Sequence, residues 1–364
     1  MTDGGVDTGL SRIGLEHFRH LHNTRLDFSP QLNVIHGENA AGKTSLLEAI
    51  HFLARARSFL SYSSKRIITR GEVRVVVNGV ISSSRQTHQL GVQFTEGETR
   101  VRLDGRDVQA LSESAWLLPI QVINTETQLL LTEGPSIRRA FLNWGVFHVE
   151  HQYREDWRRY RRAMKQRNAA LREGSEKQAA VWEPELATAG AAVNAKREVF
   201  LETLLPQALE LIREWLPAVE WDWRFRQGWP KDSALDVILA QSRSKEIIQG
   251  FGFYGPHRAD FRVMADGEDA ATRLSRGQQK LLVAALRLKL IEYWGAQGEQ
   301  KPVLLVDDLP AELDAKHREA LLQQLLNTPA QSFVTTIEPE QLPAVKAAQW
   351  FHVEQGKIRA DPQV

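Results

Sequence analysis

The fold is decided by the stretch Leu32-Asn33-Val34-Ile35-His36-Gly37-Glu38-Asn39-Ala40-Ala41-Gly42-Lys43-Thr44. Its apolar start predicts a buried β-strand, and Ser45–Ala56 continues with apolar residues at helical spacing. The loop between them fits the pattern Gly-x-x-x-x-Gly-Lys-Thr completely. A chance glycine-rich turn could match these letters, but strand, loop and helix together are the context in which backbone N–H groups surround a phosphate. The stretch therefore predicts an α/β fold with a phosphate-binding loop (P-loop).

This P-loop also predicts individual ligands for a nucleoside triphosphate. The residues that we expect to contact the nucleotide are Gly37, Glu38, Asn39, Ala40, Ala41, Gly42, Lys43, Thr44 and Ser45. Lys43 should reach the β- and γ-phosphates, and the Thr44 hydroxyl should bind Mg²⁺. The positive end of the following helix favours the same anion.

A second acidic element lies near the C-terminus. Val303-Leu304-Leu305-Val306-Asp307-Asp308 is a short apolar run that ends in two carboxylates. Such a run is typical of a buried parallel strand, and ligands of open α/β sheets bind at the carboxyl ends of the strands. Alone, it could be a solvated turn; beside a P-loop, it predicts Asp307 as the Mg²⁺ ligand and Asp308 as the group that orients or deprotonates the attacking water.

The heptad Leu274-Ser275-Arg276-Gly277-Gln278-Gln279-Lys280 precedes an apolar helical pattern. It resembles the signature motif of the ABC-type ATPases. In that class, the signature of one subunit covers the γ-phosphate bound to another, so the resemblance implies ATP as the nucleotide and a dimer. The residues implied to act in trans are Ser275, Arg276, Gly277 and Gln278. Ser275 could also be an ordinary N-cap, and the two roles are compatible.

Composition sets limits on the rest. The chain has 364 residues, a net charge of +1 and no cysteine. Nucleic-acid contacts must therefore come from local basic patches, and disulfides, zinc–thiolate sites and thiol catalysis are excluded. Neither a membrane-spanning apolar run nor the apolar core of a signal peptide is present, so we expect a cytoplasmic protein.

The element pattern predicts a split domain. Residues 1–147 and 251–364 alternate strands with helices, whereas residues 148–250 are mainly helical. We expect helices over 151–172 and 184–216, separated by the polar segment 173–185. The predicted fold is thus an α/β ABC-type ATPase head with a mixed β-sheet, interrupted by a mainly helical second lobe that carries a short antiparallel helical arm.

Further motifs narrow the resemblance. They are Leu15-Glu16-His17-Phe18-Arg19-His20-Leu21, Ala56-Arg57-Ser58-Phe59, Gly134-Pro135-Ser136-Ile137-Arg138-Arg139-Ala140-Phe141-Leu142, Lys165-Gln166-Arg167-Asn168-Ala169-Ala170-Leu171 and Gly255-Pro256-His257-Arg258-Ala259-Asp260. The first resembles the start of SMC/Rad50-like heads, and together the motifs resemble the RecF family across nearly the whole chain. The resemblance implies an ATP-dependent homodimer that binds DNA at single-strand gaps and junctions. It also implies that RecR and RecO are partners in loading RecA.

The same resemblance implies further site residues and an activity. Arg19 is expected to contact ATP, and Gln121 is the candidate Q-loop residue with a catalytic role. Most ABC ATPases carry Glu where this chain has Asp308, so we expect a slow, DNA-dependent ATPase that works as a switch. The segment Ala311-Glu312-Leu313-Asp314 corresponds to the D-loop, and Pro310-Ala311 lacks its usual Ser.

A basic helix is the candidate DNA surface. Residues 154–172 carry eight Arg or Lys against two acids. The residues that we expect to contact phosphates are Arg158, Arg159, Arg161, Arg162, Lys165 and Arg167. A solvated arm with an apolar packing stripe explains the same pattern, and both roles can coexist on one helix.

Two other patterns stay open. Trp221-Asp222-Trp223-Arg224-Phe225-Arg226 favours a half-buried strand over a stacking platform for unpaired bases. His257 and Arg258 could contact either nucleotide or DNA. The rival functions are an ATPase subunit of a nuclease or other SMC-like complex, a transporter-type ATPase subunit, and a nucleotide-dependent scaffold that hydrolyses little.

Overall fold

The computed structural model of the protein describes residues 8–61, 64–83, 86–108, 111–297, 300–308, 313–337, 339 and 348–361. Its strands are β1 (Gly9–Glu16), β2 (Thr24–Asp27), β3 (Leu32–His36), β4 (Arg74–Ser82), β5 (Thr87–Thr95), β6 (Glu98–Leu103), β7 (Arg106–Asp107), β8 (Ile120–Ile123), β9 (Trp221–Arg226), β10 (Asp260–Ala265), β11 (Glu268–Asp269), β12 (Val303–Val306), β13 (Gln331–Thr336), β14 (Ala348–Glu354) and β15 (Lys357–Ala360). Its helices are α1 (Lys43–Arg55), α2 (Leu111–Leu117), α3 (Leu129–Thr132), α4 (Pro135–Val149), α5 (Tyr153–Arg172), α6 (Glu176–Trp215), α7 (Leu235–Gln249), α8 (Ala270–Arg273), α9 (Arg276–Gln297) and α10 (Ala315–Asn327).

The chain divides into two units, which are Met1–Thr127 with Leu290–Val364, and Gln128–Lys289. The boundaries expected at 148 and 250 do not coincide with these. Helix α4 and strands β9 to β11 belong with the helices of the second unit, because buried ion pairs such as Arg138–Asp260 connect them. Residues on both sides of the helical insertion therefore fold with it.

Two sheets enclose helix α1 in the first unit. One is antiparallel, in the order β2-β1-β4-β5-β6-β7, and β4 buries alternate side chains as a half-exposed strand should. The other runs β15-β14-β3-β13-β12-β8 and is parallel except for β15. Apolar side chains of α1, among them Leu46, Ile50 and Phe52, share one core with both sheets. The expected mixed α/β architecture is confirmed.

Parallel strand pairing brings the two sequence motifs of this unit to the same edge of the sheet. Strand β12 lies between β13 and β8, with Val306 opposite Val334 and Ile123, and β13 pairs in turn with β3. The carboxyl ends of β3, β12 and β13 therefore meet at one edge of the sheet. The P-loop follows β3 and the two acids follow β12, so the sheet brings both sequence motifs together.

The second unit is a helical assembly with the small antiparallel sheet β11-β10-β9. The expected break at 173–185 is wrong in extent, because only residues 173–175 interrupt the helices, at Gly174 with φ of 71°. Helix α6 begins at Glu176 and continues past Pro184, while its buried side chains Ala179 and Leu186 hold it in the packed unit. At ~1.5 Å per residue, its 40 residues span about 60 Å, twice the length of α5. No helix among the described residues is both long and apolar enough to cross a membrane.

Candidate functional site

The P-loop connects β3 to α1 as the sequence predicted. Gly37 has φ of 147°, and a Cβ there would lie 2.2 Å from the Val353 carbonyl oxygen, so only glycine fits. Gly42 is the N-cap of α1. The loop thus ends where the free N–H groups of the first helical turn could donate to a phosphate.

Lys43 lies at the first position of α1 and its side chain turns back over the loop. Its Nζ donates to the carbonyl oxygens of Gly37 and Glu38, at 2.8 Å and 2.9 Å. Burial lowers the pKa of Lys43, and the carboxylates of Asp308 and Asp307 oppose that shift. A lysine held over the loop in this way is suited to bind phosphate oxygens.

Both acids predicted from the strand end lie beside the P-loop. The Thr44 hydroxyl donates to Asp307 Oδ1 at 2.9 Å, and the Thr335 hydroxyl donates to the same oxygen at 3.0 Å. The backbone N–H of Asp308 donates to Thr335 Oγ1 at 2.6 Å, and Asp308 has φ of 51°. Thr335 therefore fixes the two acids relative to each other. Thr335 is not among the site residues expected above, because it reaches Asp307 only through the pairing of β13 with β12.

The donor set fits the expected magnesium ion. Mg²⁺ is bound through one or two carboxylates together with substrate phosphates and waters, and prefers oxygen ligands. Thr44 and Asp307 supply such oxygens within hydrogen-bonding distance of each other. Burial raises the pKa of Asp307 against the two hydroxyl hydrogen bonds, so a cation there would relieve an unfavourable buried charge. Within the described residues no group of three or more His, Cys, Asp or Glu forms a metal site by itself.

Two further predicted residues lie in the same unit but in different surroundings. The guanidinium of Arg19 pairs with Glu48, a fully buried carboxylate of α1 that also accepts a hydrogen bond from Ser58. Gln121 is buried within β8 opposite Leu304, three residues before the position of Asp307. At ~3.3 Å per residue its level on the sheet is about 10 Å before that of Asp307, so the structure does not bring Gln121 to the carboxyl edge. Of the D-loop segment, Ala311 and Glu312 lie outside the described residues, as does Pro310 before it, whereas Leu313 and Asp314 are described.

The predicted signature begins helix α9 in the second unit. Ser275 Oγ accepts the N–H of Gln278 at 3.4 Å, and Gln278 Oε1 accepts the N–H of Ser275 at 3.0 Å. This reciprocal arrangement is a capping box, so Ser275 is an N-cap as well as a candidate phosphate contact. Ser275 and Arg276 are exposed, whereas Gln279 is buried and donates to the carbonyl oxygen of Leu274 at 3.0 Å. The exposed helix start therefore remains accessible to a ligand.

Of the six cations of helix α5 that were expected to contact DNA, five are exposed and one prediction is wrong. The exposed cations are Arg158, Arg159, Arg161, Arg162 and Lys165. Arg158 pairs with Glu155 and Arg159 with Glu185. Arg167, by contrast, is 1% exposed and pairs with Glu183 and Glu246 inside the unit. It cannot contact DNA, because α5 packs that face against α6 and α7.

The motif residues of the second unit mostly contact one another. Arg138 forms a buried bidentate pair with Asp260, at 2.7 Å and 3.1 Å. Tyr160 Oη lies 2.5 Å from His257 Nδ1, and burial lowers the pKa of His257 to about 4, so the imidazole is neutral at physiological pH. Strand β9 is half-buried, as the alternation of Trp221–Arg226 favoured.

These features define a class: the fold and the site are those of a P-loop ATPase of the ABC type. A family model for the RecF/RecN/SMC N terminal domain matches residues 9–359. The DNA replication and repair protein RecF of Shewanella baltica is 39% identical over 354 residues, covering 96% of this chain and 98% of that protein. The protein of the same name from Shewanella halifaxensis is 40% identical over 354 residues, covering 96% of this chain and 97% of that protein. The chain therefore belongs to the RecF family, which confirms the resemblance read from its motifs.

Solved structures agree on the fold. A structure of the recombination mediator protein RecF-ATP in the RecFOR pathway has a TM-score of 0.87 at 24% identity, covering 99% of this chain and all of that one. The Smc head domain of Pyrococcus furiosus has a TM-score of 0.60 at 13% identity, covering 97% and 96%. At these identities the likeness concerns the fold alone.

Proposed function

We propose that this protein is an ATP-dependent DNA-binding protein of recombinational repair and replication restart, and that it acts as a homodimer. In the dimer, Ser275 of each copy would meet the γ-phosphate held by the P-loop of the other. The observation that carries this proposal is the pair of half-sites on one chain: Thr44 beside Asp307 at 2.9 Å, and an exposed Ser275 at the start of a 22-residue helix. A nucleotide cradle and an anion-binding helix start are the two parts that such a dimer needs.

ATP hydrolysis would release this dimer. Asp308 would orient the attacking water, and Mg²⁺ held by Thr44 and Asp307 would neutralise charge on the phosphates. Because Asp308 is one methylene shorter than the usual Glu, we expect slow turnover. We also expect DNA to stimulate this turnover. The left-handed backbone of Asp308 and the hydrogen bond from its N–H to Thr335 fix the main chain from which that short side chain extends.

The nucleic acid that this dimer would bind is DNA at gaps and at junctions of double and single strands. The exposed cations of α5 support contacts to phosphates, which are independent of base sequence. Similarity to a protein described as a mediator of the RecFOR pathway supports RecR and RecO as partners, and RecA loading as the outcome. Action on a bacterial chromosome would be cytoplasmic.

The dimer is tested by measuring mass with and without ATP and Mg²⁺ for Ser275→Arg. We expect this variant to bind ATP as the wild type does but to remain monomeric, because the added side chain fills the space for the phosphate. Ser244→Arg is the matched control, since Ser244 is an exposed serine of α7 in the same unit. Lys43→Ala should bind no ATP at all.

Two outcomes would count against this function. A Ser275→Arg protein that still dimerises with ATP would refute the trans role of the signature. An ATPase rate per subunit that depends neither on protein concentration nor on gapped DNA would refute the DNA-gated dimer, and would favour a scaffold that hydrolyses little.

A further inference from the structure

A groove in the second unit lies outside the nucleotide site and outside the basic face of α5. It has a volume of about 830 Å³ and lies between the loop after β9 and the turn at Gly255–Arg258. Its cationic side chains are Arg139, Arg226, Lys231 and Arg258, against the single carboxylate of Glu198. A groove with this charge favours an anionic ligand.

Two of these cations are available for a ligand. Within the described part of the chain, the side chains of Arg226 and Lys231 form neither a hydrogen bond nor an ion pair, and both are exposed. Arg258 is also exposed and its guanidinium lies 5.7 Å from the centre of the Phe251 ring. Cations without internal partners gain the most from a bound phosphate.

Aromatic rings line the same groove. Phe225, Trp229, Phe253 and Tyr254 contribute to its walls, and each is half-buried. Phe253 and Tyr254 lie edge to face, with ring centres 6.5 Å apart. Rings that are partly covered and partly open offer flat apolar surfaces on which a planar ligand can stack.

Hydrogen bonds beneath the surface fix the shape of the groove. The Gly255 N–H donates to the Gly228 carbonyl oxygen at 3.2 Å, and a Cβ at Gly228, where φ is 99°, would lie 2.2 Å from the Gly255 oxygen. Arg139 donates to the Ala259 carbonyl oxygen at 3.1 Å, and buried Arg197 donates to that of Pro256 at 2.7 Å. A preformed groove loses less conformational entropy when it binds.

We propose that this groove binds unpaired nucleotides of a DNA strand, with bases stacked on its rings and phosphates held by its cations. The inference rests on the proposed function, and adds a single-strand site to it. Aromatic rings alternating with cations are the means by which proteins bind single strands without sequence preference. Duplex DNA presents only base edges, so its bases could not stack on Trp229 or Tyr254.

The test uses the full-length protein with ATP and Mg²⁺, a labelled oligothymidylate of about 16 nucleotides and a blunt duplex of equal length. Trp229→Ala should weaken binding of the single strand about ten-fold and leave the duplex within about two-fold. Trp223→Ala is the matched control, because Trp223 is a half-buried tryptophan of β9 that does not line the groove. Trp229→Phe should retain most of the affinity, since it keeps a ring.

Charge is tested in the same assay. Lys231→Gln should lower the salt dependence of single-strand binding by about 0.7 in the log–log slope for one lost phosphate contact. Lys245→Gln, which removes an exposed lysine of α7 outside the groove, should change neither the slope nor the affinity. Photocrosslinking of 5-iodouracil DNA to the wild-type protein should label Trp229 or Tyr254, and needs no variant to fold.

The inference is overturned if Trp229→Ala weakens both DNA forms equally or neither, or if crosslinks fall only on α5. It is also overturned, in favour of a protein partner, if Trp229→Ala abolishes binding of an aspartate-rich aromatic peptide while the oligonucleotide still binds. If the wild-type protein binds duplex DNA but Trp229→Ala does not change single-strand binding, only the inference about the groove is refuted. If the wild-type protein binds neither the single strand nor the duplex, the proposed function is refuted as well.

Discussion

Replacement of Arg167 by Met tests whether this buried cation of helix α5 is structural, unlike the exposed cations for which we propose contacts to DNA. The guanidinium of Arg167 contacts Glu183 at 2.9 Å, Glu246 at 2.6 Å and the Leu239 carbonyl oxygen at 3.2 Å. Arg167 is 1% exposed and Glu246 is fully buried, so no water replaces these contacts when the charge is removed. We expect Arg167→Met to destabilise the second unit strongly.

The size of the effect follows from which partners remain. Glu183 keeps its pair with Arg243, whereas Glu246 keeps, among the described residues, the N–H of Phe253 as its one remaining donor. Loss of one partner of a buried ion pair costs about 3–5 kcal/mol, because a buried charge is left uncompensated. For a unit of this size each kcal/mol lowers Tm by about 2–4 °C. The expected decrease in Tm is therefore about 6–20 °C.

Thermal unfolding followed by circular dichroism measures this decrease. Arg161→Met on the same helix is the matched control, and should change stability by no more than about 0.5 kcal/mol because Arg161 is exposed. Adding Glu246→Gln to Arg167→Met should recover part of the loss, since the uncompensated charge is removed. An Arg167→Met protein with the wild-type Tm would refute the proposal that the buried ion pairs of Arg167 stabilise this unit.

Four further substitutions test the basic face, the acid pair and the P-loop. Arg161→Gln and Arg162→Gln should each weaken duplex binding and lower its salt slope by about 0.9, measured by anisotropy over a salt series; an unchanged slope would remove them from the DNA surface. Asp307→Asn should raise the Tm of the nucleotide-free protein at pH 7, because burial raises the pKa of Asp307 and its charged form is unfavourable there. That gain should vanish as pH falls below about 4, where the unfolded carboxyl is protonated too; a gain independent of pH would contradict the argument. Gly37→Ala should lower Tm and ATP affinity together, because its Cβ would meet the Val353 carbonyl oxygen at 2.2 Å; calorimetric titration showing normal affinity would contradict this.

Features encoded by neighbouring residues were predictable from the sequence. The P-loop, its flanking elements and the strand ending at Asp307 each lie within a short stretch whose periodicity and end residues are diagnostic. The parallel order that brings Asp307 to Thr44 followed from the rule that ligands bind at the carboxyl ends of strands. The extra partner Thr335 depends on strand register, which a single sequence does not specify.

The error at Arg167 has a local cause. Tyr160 and Leu171 lie on the buried face of α5, and Arg167 lies seven residues after the first and four before the second. Helical spacing therefore puts all three on one face, so periodicity indicated burial where residue type suggested exposure. Its partner Glu246 is 79 positions away along the chain and could not be inferred from pattern. The length of α6 was missed for a related reason, since its packing against α5 outweighs the polar residues and Pro184 near its start.

The alternatives left open for His257 and Arg258 separate once burial is considered. His257 is neutral and directed inward, where its Nδ1 accepts from the Tyr160 hydroxyl and its Nε2 donates to the Gly252 carbonyl oxygen at 3.3 Å. A neutral, internally bonded imidazole has no charge to offer a phosphate, so its role is to fix the turn that carries it. Arg258, the next residue, is exposed on that same turn and lines the groove. One short motif thus combines a half-buried imidazole that fixes the turn with a solvent-facing cation, and only the cation is suited to contact nucleic acid.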